Sequence, residues 1–204
     1  MKPVLSFLDR MTRTARIRGG ATNFILGSQA WSDRVLARVY FEVASRQWDG
    51  LAAQEGHLAP FVEAVKVLPP GRYERILDLG TGAGGSAAQM AELMPESSVL
   101  GIDRSRRMIG QARQRSHRGN LTFEVGDAIN PEGAPESFDL VTAHNFMPHP
   151  PRVHRLLKAQ GVAIASGSFV HQDQISRMVW ESAGFEMVAH DRIGNGSYQV
   201  YRRL

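Results

Sequence analysis

The chain has 204 residues, of which 43% are hydrophobic and 22% charged, with no cysteine, a formal net charge of +4 and a pI near 9.8. That apolar content suffices for one packed core and excludes a disordered or low-complexity chain, while the lack of thiols excludes disulfides, thiolate metal sites and thiol nucleophiles. The apolar stretch within residues 1–9 is too short for a secretory signal and no run approaches the ~20 residues of a membrane span, so a compact cytoplasmic protein is expected.

Residues 2–18 form a candidate basic amphipathic helix with Val4, Leu5, Leu8 and Met11 on one side, broken at Gly19-Gly20. Ser32 can cap a second helix over 33–46, and a third runs from about His57 to Leu68, stopping at Pro69-Pro70-Gly71. Next comes Arg75-Ile-Leu-Asp-Leu-Gly-Thr-Gly-Ala-Gly-Gly85, a short apolar strand running straight into a glycine-rich turn, followed by a helix over 86–94. Glycines there remove the Cβ atoms that would hold a ligand off the backbone. The strand Ser98–Ile102 ends in Asp103, about twenty residues past the first glycine, where a ribose-binding carboxylate is expected. Ser105 caps a helix ending near Gly119; the strand 121–125 ends in Gly126-Asp127-Ala128, and the strand 138–143 ends in His144-Asn145. A proline-rich crossover over 144–161 leaves room for a short helix at about 151–159. Strand 162–166, helix 172–183 and strand 186–192 follow, then the turn Gly194-Asn-Gly196 and strand 197–203. Asn-Gly between two strands signals a hairpin. No internal repeat is present.

The glycines also satisfy the dinucleotide pattern G-x-G-x-x-G through Gly80, Gly82 and Gly85. A nicotinamide dinucleotide would bring an anionic pyrophosphate toward Asp78, whose carboxylate is placed to face the ligand, and would leave Asp127 without a task. A single strand-end acid is more simply a helix cap; three after successive strands point to a ligand with several donors or positive charge.

Over roughly residues 72–204 the chain resembles the class I S-adenosylmethionine-dependent methyltransferases. The resemblance rests on the ordered set Asp78-Leu-Gly-Thr-Gly-Ala-Gly, Gly101-Ile-Asp103-Arg-Ser, Gly126-Asp127-Ala128 and Phe138-Asp-Leu-Val141. It implies a doubly wound, Rossmann-like α/β fold with a seven-stranded, mostly parallel sheet ending in an antiparallel hairpin, here with added N-terminal helices. It further implies S-adenosylmethionine as cofactor. Asp78, Gly80, Thr81, Gly82 and Gly84 would lie at its methionine portion, Asp103 would take the ribose hydroxyls, and Gly126 and Asp127 the adenine amino group. Arg104, where an apolar residue is usual, would lie along the adenine, with Met108 or Ala128 closing the other side. A second departure is Lys158-Ala-Gln-Gly161, where Pro-Gly-Gly often precedes the fifth strand.

For the acceptor, Tyr40-Phe-Glu-Val-Ala-Ser-Arg-Gln-Trp-Asp49 is similar to the N-terminal helix of small-molecule and quinone-type methyltransferases. Residues 1–50 are therefore expected to roof the acceptor site, with Tyr40 and Trp48 in it, over a cofactor domain at 51–204. His144 would lie beside the methyl position, as a general base for a hydroxyl acceptor or as a pocket wall, with Asn145 and His149 near the acceptor and His154 and His171 as weaker candidates. No metal site is expected. The segment 164–185 is similar to ribosomal-protein lysine methyltransferases, so a ribosomal protein or ribosomal RNA acceptor is a second reading, and a non-catalytic cofactor-binding protein a third. Arginine clusters at 10–18, 104–118 and 152–155 lack the interleaved aromatics that stack bases and read as solvated faces.

Overall fold

A computed structural model describes residues 56–168 and 173–204. The two most N-terminal helices expected from sequence, the roof over residues 1–50, Tyr40, Trp48 and His171 lie outside the described residues. Seven strands, β1 (Arg75–Leu79), β2 (Ser98–Asp103), β3 (Leu121–Val125), β4 (Phe138–His144), β5 (Leu157–Gly167), β6 (Phe185–Ile193) and β7 (Gly196–Arg203), form one sheet in the order β3-β2-β1-β4-β5-β7-β6. Neighbours from β3 through β5 pair parallel, while β7 runs antiparallel to both β5 and β6.

Helices α1 (Ala59–Lys66), α2 (Gly85–Leu93) and α3 (Arg106–Arg115) cover one face, and α4 (Pro150–Leu156) and α5 (Asp173–Ser182) the other. Strand periodicity of two divides the core accordingly. Ile76, Leu140 and Ile164 join Phe61, Met90 and Ile109 on the first face, whereas Leu77, Val141 and Ala163 join Leu156 and Trp180 on the second. Trp180 stacks on Tyr201 with 4.6 Å between ring centroids and 9° between planes, docking α5 on β7.

Three boundaries differ from expectation. The helix begun at Ser105 stops at Arg115, because beyond Ala112 its residues have no core to cover and Ser116 is already extended at φ −136°. Strand β5 begins at Leu157, which pairs with Phe138, and Lys158–Gly161 bulge out before Val162 pairs with Leu140. Gln160 occupies the left-handed region there at φ +62°. The hairpin loop is Gly194-Asn195, with Ile193 paired to Gly196; Gly194 supplies the positive φ of +59° that a two-residue loop needs. Gly196 serves instead for close approach, since a Cβ there would run into Gly167 O and, at 2.6 Å, Pro60 Cγ.

Candidate functional site

The site lies at the carboxyl ends of β1–β5, and the strand order reverses direction between β1 and β4, the place where open α/β sheets bind ligands. On the β1 side the glycine turn bends through left-handed φ angles at Gly80 (+69°), Gly82 (+54°) and Gly84 (+87°). Two of these are also closed to any side chain. A Cβ on Gly80 would sit 2.6 Å from Phe146 Cγ, and one on Gly84 2.7 Å from Phe123 Cζ. Gly82 differs, for nothing lies within 4 Å of its would-be Cβ, and its open side is where a ligand can approach the backbone.

Asp103 joins that turn to the next strand. Its Oδ2 accepts from Gly82 N at 3.0 Å and its Oδ1 from Ser105 N at 2.8 Å, while Ser105 Oγ caps α3 by accepting from Met108 N. Gly126 N donates to Asp103 O at 3.0 Å, which brings Asp127 alongside. Asp127 Oδ1 accepts from Ile129 N at 2.9 Å and lies 3.6 Å from the half-exposed Arg104 guanidinium. Met108 and Ala128 are both buried, Ala128 against Ile102. Gly82, Asp103, Gly126, Asp127 and Arg104 are thus linked across three strand ends. Asp103 and Asp127 are carboxylate acceptors at these strand ends, the chemistry that the two hydroxyls of a ribose and an exocyclic amine would require of a residue holding them.

Asp78 does not face the ligand as expected. Its carboxylate is fully buried on the α2 side of the sheet, with Oδ2 accepting from Ser86 Oγ and Oδ1 from Thr142 Oγ1, both at 2.7 Å. Burial raises its pKa, opposed chiefly by the hydroxyls of Ser86 and Thr142, with the Asp103 charge adding to the rise. It ties β1 to α2 and to β4, fixing the start of the turn. Thr81 Oγ1 is buried beside it without a hydrogen-bond partner among the described residues.

On the β4 side, His144 is 8% exposed and not the freely titrating imidazole anticipated. Burial lowers its pKa to about 4, helped by the neighbouring His57 ring and opposed by the His57 backbone. Its Nδ1 lies 3.0 Å from Ser166 Oγ and its Nε2 3.2 Å from Asn145 Nδ2, and its ring stands edge-on to His57 at 5.0 Å and to Phe61 at 6.0 Å. Asn145, itself left-handed at φ +54°, accepts from Ser168 N at 2.8 Å and donates to Ser168 Oγ at 3.0 Å. Ser168 Oγ in turn reaches His57 Nδ1 at 2.9 Å. His149 is exposed at the N-terminal cap of α4 and His154 packs edge-on against Phe185; neither is hydrogen-bonded into this cluster. His57, Ser166 and Ser168 were not anticipated.

A model of the methyltransferase domain family matches residues 71–200. The chain belongs to that methyltransferase family. It is 34% identical over 103 residues to the trans-aconitate 2-methyltransferase of Deinococcus radiodurans, a match covering 49% of this chain and 38% of that one. It is 28% identical over 132 residues to methyltransferase str3 of Strobilurus tenacellus, covering 63% and 46%. These matches span less than half the length of those relatives. A solved S-adenosylmethionine-dependent methyltransferase from Aquifex aeolicus superposes with a TM-score of 0.66 at 15% identity, covering 78% of this chain and 97% of that one. A TehB-like one from Corynebacterium glutamicum gives 0.59 at 21% identity, covering 82% and 100%. At these identities the likeness is one of fold, and the fold is that of the class I enzymes. S-adenosylmethionine is the cofactor of this methyltransferase family, and Asp103 and Asp127 place two carboxylates at the strand ends where it could be held. Among the described residues no His/Asp/Glu group could hold a metal ion and no helix is long and apolar enough to cross a membrane.

Proposed function

We propose that this chain transfers the methyl group of S-adenosylmethionine to a small-molecule acceptor in a cytoplasmic setting. The observation that carries the reading is the unbroken run of contacts from Gly82 through Asp103 to Asp127 along three strand ends. When bound, the cofactor supplies a sulfonium methyl open to in-line displacement. The chain's own residues would do the binding and orienting: Asp103 would take the ribose hydroxyls, Asp127 the adenine amine, Arg104 would lie along the ring with Met108 or Ala128 on its other side, and the open side of Gly82 would admit the methionine portion. Residues 1–50, with Tyr40 and Trp48, would contribute acceptor recognition, and residues 51–204 cofactor binding. Relatives named for trans-aconitate and demethylmenaquinone support a small acceptor.

Calorimetry tests the cofactor half. The protein should bind S-adenosylmethionine or S-adenosylhomocysteine and not NAD, and Asp103→Ala should weaken binding by more than ~10-fold, since lost charge-assisted hydrogen bonds cost roughly 1.5–3 kcal/mol each. Unchanged affinity in that variant, or tight NAD binding, would overturn the assignment. A screen of metabolites with methyl-labelled cofactor tests the acceptor half.

A further inference from the structure

The cluster at the ends of β4 and β5 constrains where its protons sit. Ser168 N donates to Asn145 Oδ1, which fixes the orientation of that amide and makes its Nδ2 the donor. The two Nδ2 hydrogens go to Ser168 Oγ at 3.0 Å and to His144 Nε2 at 3.2 Å. His144 therefore carries its proton on Nδ1 and gives it to Ser166 Oγ, 3.0 Å away. Giving the one hydroxyl hydrogen of Ser168 to the carbonyl of His57 at 3.0 Å, which can only accept, leaves the hydroxyl oxygen to accept from its other neighbours. The contact of Ser168 Oγ with His57 Nδ1 at 2.9 Å is then a donation from Nδ1–H. His57 Nε2 is left with its lone pair, its nearest donor being Asn145 Nδ2 at 3.5 Å with both hydrogens already committed.

The two histidines differ accordingly. His144 is buried with both nitrogens engaged, whereas His57 is half-buried just ahead of α1 and, among the described residues, its Nε2 has only the 3.5 Å contact with Asn145 Nδ2. Among the described residues, no lysine or arginine is hydrogen-bonded to the cluster of His57, His144, Asn145, Ser166 and Ser168. It stands one strand from the glycine turn, because Ala143 pairs with Leu79 and Phe146 packs on Gly80.

We infer that the methyl acceptor presents a neutral hydroxyl to this cluster and that His57, through Nε2, takes its proton; the inference rests on the methyltransferase reading above. The acceptor O–H bond breaks toward Nε2, the oxygen forms the bond to the methyl carbon, and the carbon–sulfur pair stays with sulfur. The positive charge passes from the sulfonium to the imidazolium, so charge and atoms balance. His144 is the titratable group facing His57 among the described residues, and it serves as a positioning residue that stays neutral. Burial lowers the pKa of His57 below its ordinary 6.5, so the free base persists at neutral pH.

The test uses the full chain labelled with ¹⁵N-histidine and saturated with S-adenosylhomocysteine. Nitrogen chemical shifts, assigned through His57→Gln, should show His57 as the Nδ1–H tautomer, and Ser168→Ala should disturb that preference. With methyl-labelled cofactor, catechol, a primary amine and trans-aconitate serve as hydroxyl, amine and carboxylate probes. Catechol should be preferred, and His57→Gln should slow its methylation by ~100-fold or more with cofactor affinity within about threefold, while removing a pH step below 6.5 in kcat/KM. An Nε2–H tautomer overturns the inference whatever the acceptor. So do preference for trans-aconitate or the amine, transfer to none of the probes, and an unimpaired His57→Gln. Absence of cofactor binding would instead bring down the methyltransferase reading itself.

Discussion

Burial keeps the His144 imidazole neutral, and that neutrality makes stability depend on pH. Its pKa is about 4 in the folded protein against an ordinary 6.5, so below pH 6.5 the unfolded chain takes up a proton that the folded one refuses. The contribution is complete above pH 6.5 and is lost progressively as the pH falls toward 4, by an amount on the order of 3 kcal/mol. Half-buried His57 acts in the same sense, and Asp78, whose carboxyl burial pushes upward, in the opposite sense over the carboxylate range. Both remain in a His144→Gln variant, so the comparison reports His144 together with its interaction with His57. Urea unfolding at pH 7.0 and 4.5 should show wild type losing markedly more stability than His144→Gln. Parallel losses in the two proteins would mean that His144 is not held neutral by the fold.

The bulge opening β5 shows an element bent around a residue poorly suited to it. Gln160 is exposed and left-handed at φ +62°, a conformation that costs a non-glycine residue roughly 1–2 kcal/mol. Gln160→Gly removes that strain at some expense in unfolded-chain entropy, so a net gain of about 0.5–1 kcal/mol is expected in chemical denaturation. A loss of stability would show that the Gln160 side chain contributes contacts of its own. The same bulge explains why β5 was legible only from Val162: Leu157 pairs with Phe138 across an interruption that hides strand periodicity. By contrast, the glycine turn and the acids at 103 and 127 could be found in the sequence, because their spacing is set by short strand–turn–helix units. His144 was visible as a strand-end residue, but its burial was not, although Leu140 and Thr142 precede it on the same strand face. His57 and Ser168 left no local signal, since their contact spans 111 positions and arises only when α1 packs across the end of β5.

At the scale of the whole molecule, the excess of arginine raises the question of a polyanionic acceptor. Several of these cations are already engaged. Arg113 donates to Phe123 O, Arg118 pairs with Glu92 at 3.1 Å, and Arg203 pairs with Glu136 at 2.9 Å. Pairing of this kind leaves less charge for phosphates than composition suggests. RNA engaged through many phosphates would lose ~10³-fold or more in affinity between low and physiological salt. Filter binding with ribosomal RNA should show no submicromolar, salt-sensitive complex; finding one would move the acceptor from the small-molecule to the macromolecular class.

The sheet order has a further consequence, for the sequence in which the fold can be assembled during synthesis. Among the described residues, strand β6 pairs only with β7, and β7 is the sole bridge from β6 to the parallel strands, yet β7 follows β6 in the chain. A nascent chain emerging from the ribosome can therefore complete β3 through β5 while β6 waits without a ladder partner and Trp180 lacks the Tyr201 ring on which it stacks. Docking of that half of the second face is postponed until residues 196–203 arrive, so an arrested chain stopping before Gly196 would expose the apolar side of α5 and become a substrate for chaperones or proteases.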